Sequence, residues 1–148
     1  MDENLEEDPQ RQAFEQVIGL LTPLRQHRQA SAERAQRQAQ VELKSMLDHL
    51  SVTRASLSQE RDQQKLQRDT LSDAHLEKTI SRNDVDRWHA QENAMLERLA
   101  SIREDIEQQQ RRISEQQALL QERQQQAKAS QRAVEKLACM SEALNEEG

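Results

Sequence analysis

The sequence predicts an all-α fold, a long two-helix antiparallel coiled-coil hairpin. Three observations carry that expectation. The first is a heptad seam in the second half. Val85, Trp88, Glu92, Met95, Leu99, Ile102, Ile106, Gln109, Ile113, Gln116, Leu120, Arg123, Ala127, Ser130, Val134, Leu137, Ser141 and Leu144 alternate steps of three and four without a slip. Twelve of those 18 positions are apolar, enough to mark one stripe but too narrow to face anything except another helix. The second is continuity: from Leu24 onward there is no proline, and no glycine before Gly148. The third is a short stretch, residues 73–83, in which the periodicity is lost.

In chain order, residues 1–8 form an acidic tail that is expected to fray. Asp8-Pro9 has the chemistry of a helix start, with Asp as N-cap and Pro at the first helical position. A first long helix is expected over 9–75. Phe14, Val17, Ile18, Leu20, Leu21 and Leu24 are its most apolar patch, and Gly19 and Pro23 interrupt it. Thr22-Pro23 reads as a second N-cap and first-turn pair, so a break and a kink at 19–23 are both open. Next, Val17, Leu21, Leu24, Arg28, Ala32, Ala35, Ala39, Leu43, Met46 and Leu50 step 4-3-4 in an 11-residue repeat. Leu43, Leu50, Leu57 and Leu71 then keep a seven-residue spacing, with Gln64 in the missing place.

The turn is placed at 76–83. Ser81, with Asp84 three residues later, resembles a capping box, and Ile80 with Val85 its hydrophobic staple. The second helix is expected over 84–146. The competing reading is one continuous helix that dimerises. With the tip near residue 79, facing residue numbers add to about 158. Leu50 then meets Ile106, Leu57 meets Leu99 to Ile102, Leu43 meets Ile113, and Phe14 lies beside Leu144. Arg54–Glu104, Arg61–Glu97 and Glu60–Arg98 become candidate ion pairs. The middle is lean: Arg28, Ala32, Ala35 and Ala39 face Gln116, Leu120, Arg123, Ala127 and Ser130. Ala contacts bury little apolar area, so opening is expected there first.

Composition limits the function. The chain is 34% hydrophobic and 32% charged, with one Phe, one Trp and no Tyr, too lean for a thick globular core. The net charge of −6 resides at the ends, which hold Asp2, Glu3, Glu6, Glu7, Asp8, Glu142, Glu146 and Glu147. The body between them carries 21 basic and 19 acidic residues, a mixed surface with no nucleic-acid stripe. Cys139 is the only cysteine, which fits a reducing compartment. No apolar run has the length of a membrane span, and the acidic N-terminal stretch lacks a signal-type apolar segment.

No residue set points to catalysis or to a cofactor or metal. Ser72, Asp73 and His75 have triad residue types but crowd one short stretch of helix. His27, His49, His75 and His89 lack partners at ligand spacing. Trp88 reads first as a plug beside the turn, and second as a partner contact. Leu96, Leu119 and Met140 lie off the strict seam. Arg25, Arg28, Arg34 and Arg37, against Glu33 alone, read by default as a solvated face, and more sharply as a docking patch for an acidic partner.

The segment Leu20-Leu21-Thr22-Pro23-Leu24-Arg25-Gln26-His27-Arg28, continuing through Ala32-Glu33-Arg34-Ala35, resembles the opening of the FliJ/YscO/HrpO family, in the flavour of its HrpO branch. Val85-Asp86-Arg87-Trp88 after the turn and the Gln-rich helices resemble that family too; Pro23 departs from its pattern. The resemblance implies an antiparallel helical hairpin similar to the coiled-coil part of the rotary F1 ATPase γ subunit. It also implies a non-enzymatic stalk, cytoplasmic and peripheral to the inner-membrane type III secretion apparatus. The implied partners are the secretion ATPase ring and the export gate protein, and in some branches a stator-like ATPase regulator or secretion chaperones. In that reading Arg25, Arg34 and Arg37 point outward towards the ring. The rivals are a chaperone-like adaptor that folds on its partner and a homodimeric structural coiled coil.

Overall fold

A computed structural model describes residues 8–76 and 81–147. It is an all-α helical hairpin of two long helices, α1 (Pro9–Leu76) and α2 (Arg82–Glu147). Both starts are capped by side chains. The Asp8 carboxylate accepts from the Gln10 N–H at 3.1 Å, and the Asp8 carbonyl accepts from the Gln12 N–H at 3.0 Å. At α2 the Ser81 hydroxyl oxygen accepts from the Asp84 N–H at 3.2 Å. The acidic Asp84 in that first turn also suits the positive end of the helix dipole. Ile80, the staple partner expected for Val85, lies outside the described residues, as do 77–79 of the expected turn and residues 1–7 of the acidic tail.

α1 runs unbroken through Gly19 and Pro23, so Thr22-Pro23 does not start a second helix. Proline lacks the N–H that would bond the Gly19 carbonyl, and both residues are exposed, so water can reach the freed group. One residue earlier the Thr22 hydroxyl donates to the Ile18 carbonyl at 2.7 Å, keeping the ladder locally occupied.

The expected 11-residue seam of α1 is covered at Leu21, Ala32, Ala35, Ala39, Leu43, Met46 and Leu50, but it fails near its start. Val17, Leu24 and Arg28, placed on that seam, are exposed, while Ile18, Arg25 and Gln29 are covered. Most of the covered residues form a plain heptad frame, with Leu21, Glu33 and Ala35 outside it. Arg11, Ile18, Arg25, Ala32, Ala39, Met46, Thr53 and Glu60 step by seven. Thr22, Gln29 and Gln36 lead by the same step into Leu43, Leu50, Leu57, Gln64 and Leu71. Polarity hid this frame: long Arg and Gln stems cover the seam while their heads reach hydrogen-bond partners. On α2 every seam position is buried or half-buried except Trp88, which stays 37% exposed.

The chain divides into two compact units: Met1–Glu42 with Gln116–Gly148, and Leu43–Glu115. In the second unit Leu50, Met95, Leu99 and Ile113 are buried, and Leu43, Leu57, Ile102 and Ile106 half-buried. Glu60 and Arg98, whose numbers add to 158, form an ion pair at 3.2 Å. Arg68 and Glu92 form another at 3.6 Å. The expected pairs Arg54–Glu104 and Arg61–Glu97 do not form. Being level along the helices is insufficient; both side chains must leave the same flank of the seam. In the first unit Ile18, Ala39, Ala127 and Leu137 are buried, and Leu120, Val134 and Leu144 half-buried.

Candidate functional site

Polar side chains that reach across the helix pair are the most specific feature of both units. In the first unit Arg11 Nη2 donates to the Leu144 carbonyl at 2.7 Å, and Arg25 Nη1 to the Ala133 carbonyl at 3.0 Å. Gln116 Nε2 donates to the Ala39 carbonyl at 3.0 Å and lies 3.4 Å from Glu42 Oε2. In the second unit Gln64 Nε2 donates to the Met95 carbonyl at 2.8 Å. Gln109 Nε2 donates to Thr53 Oγ1 at 2.9 Å and to Asp105 Oδ2 at 3.2 Å. A main-chain carbonyl can accept a second bond without losing its helical one, because it has two lone pairs. These contacts therefore join the helices without disturbing either.

Arg25 is thereby taken out of the candidate docking patch. It was expected to point outward, yet it sits half-buried in the seam with its guanidinium on Ala133. Arg28, Arg34 and Arg37 are exposed, so these three supply the outward positive charge. Trp88 packs its ring 5.3 Å from that of His89, tilted by 42°, and keeps over a third of its surface open. Of the off-seam apolar residues, Leu119 is half-buried, while Leu96 and Met140 are exposed.

Ser72 and Asp73 are both exposed on α1, and the side chain of His75 lies outside the described residues. Among the described residues no cluster of His, Cys, Asp and Glu is grouped to hold a metal ion. None of the described helices is long and apolar enough to cross a membrane. The concavities are shallow gaps beside the seam. One, of about 500 Å³, is lined by Leu66, Thr70, Leu71, Ala94, Met95 and Arg98 among others. Another, of about 190 Å³, lies between Phe14 and Ile18 on one helix and Met140, Ala143 and Leu144 on the other.

Sequence reasoning missed the seam roles of Arg11, Arg25, Gln29 and Gln36. A signal was present, since each lies a multiple of seven before Ala32, Ala39, Leu43 or Leu50. Scoring by hydrophobicity alone passed over it. No protein-family model, curated protein or solved structure matches the chain.

Proposed function

We propose that this chain is a non-enzymatic coiled-coil stalk of a bacterial type III secretion apparatus. It docks in the secretion ATPase ring and links it to the export gate protein, on the cytoplasmic side of the inner membrane. The observation that carries the reading is the hairpin itself, together with the leading and post-turn segments that resemble the FliJ/YscO/HrpO family. A hairpin whose buried glutamines each donate a cross-helix hydrogen bond can position or transmit force, and needs no chemistry of its own.

The contact to the ring is electrostatic in this reading, made by the exposed Arg34 and Arg37. Replacing both by Glu is expected to weaken ATPase binding about tenfold, if each exposed pair contributes about 0.2–1 kcal/mol and reversal adds repulsion. Added salt should weaken the native complex as well, because exposed charges are screened over about 8–10 Å at physiological ionic strength. Helicity by circular dichroism should not change. A fully helical Arg34→Glu/Arg37→Glu variant that still stimulates the ATPase and supports secretion would remove the arginine face from the mechanism. Trp88, beside the turn, would then be the next contact to test.

A further inference from the structure

The first unit carries an apolar stripe that its own helices cover only in part, at the half-buried Leu21. Phe14, Val17, Leu21 and Leu24 follow one flank of α1 at steps of three, four and three. Phe14, Val17 and Leu24 are 54%, 50% and 43% exposed. Phe14 extends the surface onto α2, where it shares the 190 Å³ groove with Met140 and Glu147. Phe14, Val17 and Leu24 lie beside the intramolecular seam, not in it, and Leu21 borders it. Its side chains would be expected inside a thicker helical assembly.

Two properties say what covers it. The first is spacing. A 3-4-3 series reads the same in both directions, so it matches itself when two copies lie antiparallel. Phe14 then faces Leu24 of the second copy, and Val17 faces Leu21, about a two-fold axis near residue 19. The second is charge. The stretch 8–20 with 138–147 holds Asp8, Glu15, Glu142, Glu146 and Glu147 against Arg11 alone. The adjoining stretch 24–37 with 123–136 holds Arg28, Arg34, Arg37, Arg123, Lys128, Arg132 and Lys136 against Glu33 and Glu135, apart from Arg25, whose guanidinium is turned into the seam. An antiparallel second copy sets the acidic stretch of each chain beside the basic stretch of the other. A parallel arrangement sets like charge on like.

We propose that this stripe docks a second copy of the chain, antiparallel, giving a dimer of hairpins in which each α1 still pairs with its own α2. Arg28 follows Leu24 by one helical turn, and Glu147 lines the far end of the groove, so the two form reciprocal ion pairs between copies. The proposal does not rest on the stalk reading, and Arg34 and Arg37 are not part of the stripe. The exposed apolar residues are few. The contact is therefore smaller than the roughly 800 Å² per partner of a standard interface, and micromolar affinity is expected.

The test is sedimentation equilibrium of the full chain, from low to high micromolar concentration at low salt. A concentration-dependent monomer–dimer equilibrium is expected. Leu24→Glu should weaken it more than tenfold with helicity unchanged. Arg28→Glu, at an exposed position with no burden on folding, should weaken it several-fold. The swap Arg28→Glu/Glu147→Arg should restore the native affinity. A chain that stays monomeric at every concentration overturns the proposal, and so does a dimer indifferent to Leu24→Glu. Failure of the swap to rescue overturns the antiparallel pairing. A monomeric chain whose Leu24→Glu variant loses ATPase binding would assign the stripe to a partner helix instead of a second copy.

Discussion

At the scale of single residues, the seam is held in register by glutamines as much as by leucines. Gln64, Gln109 and Gln116 are all buried, and each sends its amide N–H across to the other helix. They differ in how well they are satisfied. The Gln109 carbonyl oxygen is buried without a hydrogen-bond partner. Its partner Thr53 is otherwise provided for, since the Thr53 hydroxyl donates to the His49 carbonyl at 3.0 Å. Leaving a buried acceptor unmade costs about 1–3 kcal/mol. Gln109→Leu is therefore expected to stabilise the protein by about 1 kcal/mol, read as a higher midpoint in urea. A lower midpoint would show that the Thr53 and Asp105 bonds outweigh the stranded oxygen.

At the scale of the element, α1 carries its least helical residues, Gly19 and Pro23, near its start. A Cβ built on Gly19 would meet nothing within 4 Å, so no close approach demands glycine there. Gly in a helix interior is about 0.5–1 kcal/mol worse than Ala. Gly19→Ala should thus raise stability by about that amount, or about 1–4 °C in melting temperature for a chain of this length. An unchanged or lower melting temperature would mean that the first turns of α1 are not part of the cooperative structure. The Ala-rich stretch behaves differently. Ala39, Ala127 and Gln116 are among the best-covered residues, yet small side chains bury little area. Amide exchange is expected to be faster over 28–39 and 116–130 than over 43–57 and 99–113. Equal protection would show that close backbone approach compensates for the missing leucines.

At the scale of the whole molecule, the hairpin fixes which parts of one chain meet. Leu50 is buried and Ile106 half-buried within the same unit. Cysteines at both positions, in a Cys139→Ser background, should form a disulfide within one chain. On a non-reducing gel the product should migrate as a monomer of altered mobility. Cross-links found only between chains would mean that a continuous helix dimerises in solution. A dimer formed through the Phe14 stripe leaves the intrachain cross-link intact, so the two experiments read different contacts.

The sequence determined that two long helices form, that α1 starts at Pro9, and which face of α2 is covered, whereas α2 starts at Arg82, two residues before the expected 84, because Ser81 caps it directly. Asp8 and Ser81 declare the starts because a capping oxygen needs only its own neighbours. The α2 stripe is legible because its occupants are mostly apolar, and burial follows hydrophobicity when nothing competes. The α1 face was decided by tertiary structure. There Arg25 and Gln29 take the seam from Leu24 and Arg28, since the facing carbonyl of Ala133 rewards a long donor and the frame must stay in step with Leu43, Leu50 and Leu57. The candidate arginine patch changed for the same reason: whether a guanidinium faces water or a carbonyl depends on the helix opposite, which local sequence does not contain. Pro23 follows the same logic. Local propensity allows a break there, and cross-helix contacts on both sides of it, from Arg11 and from Arg25, keep α1 continuous.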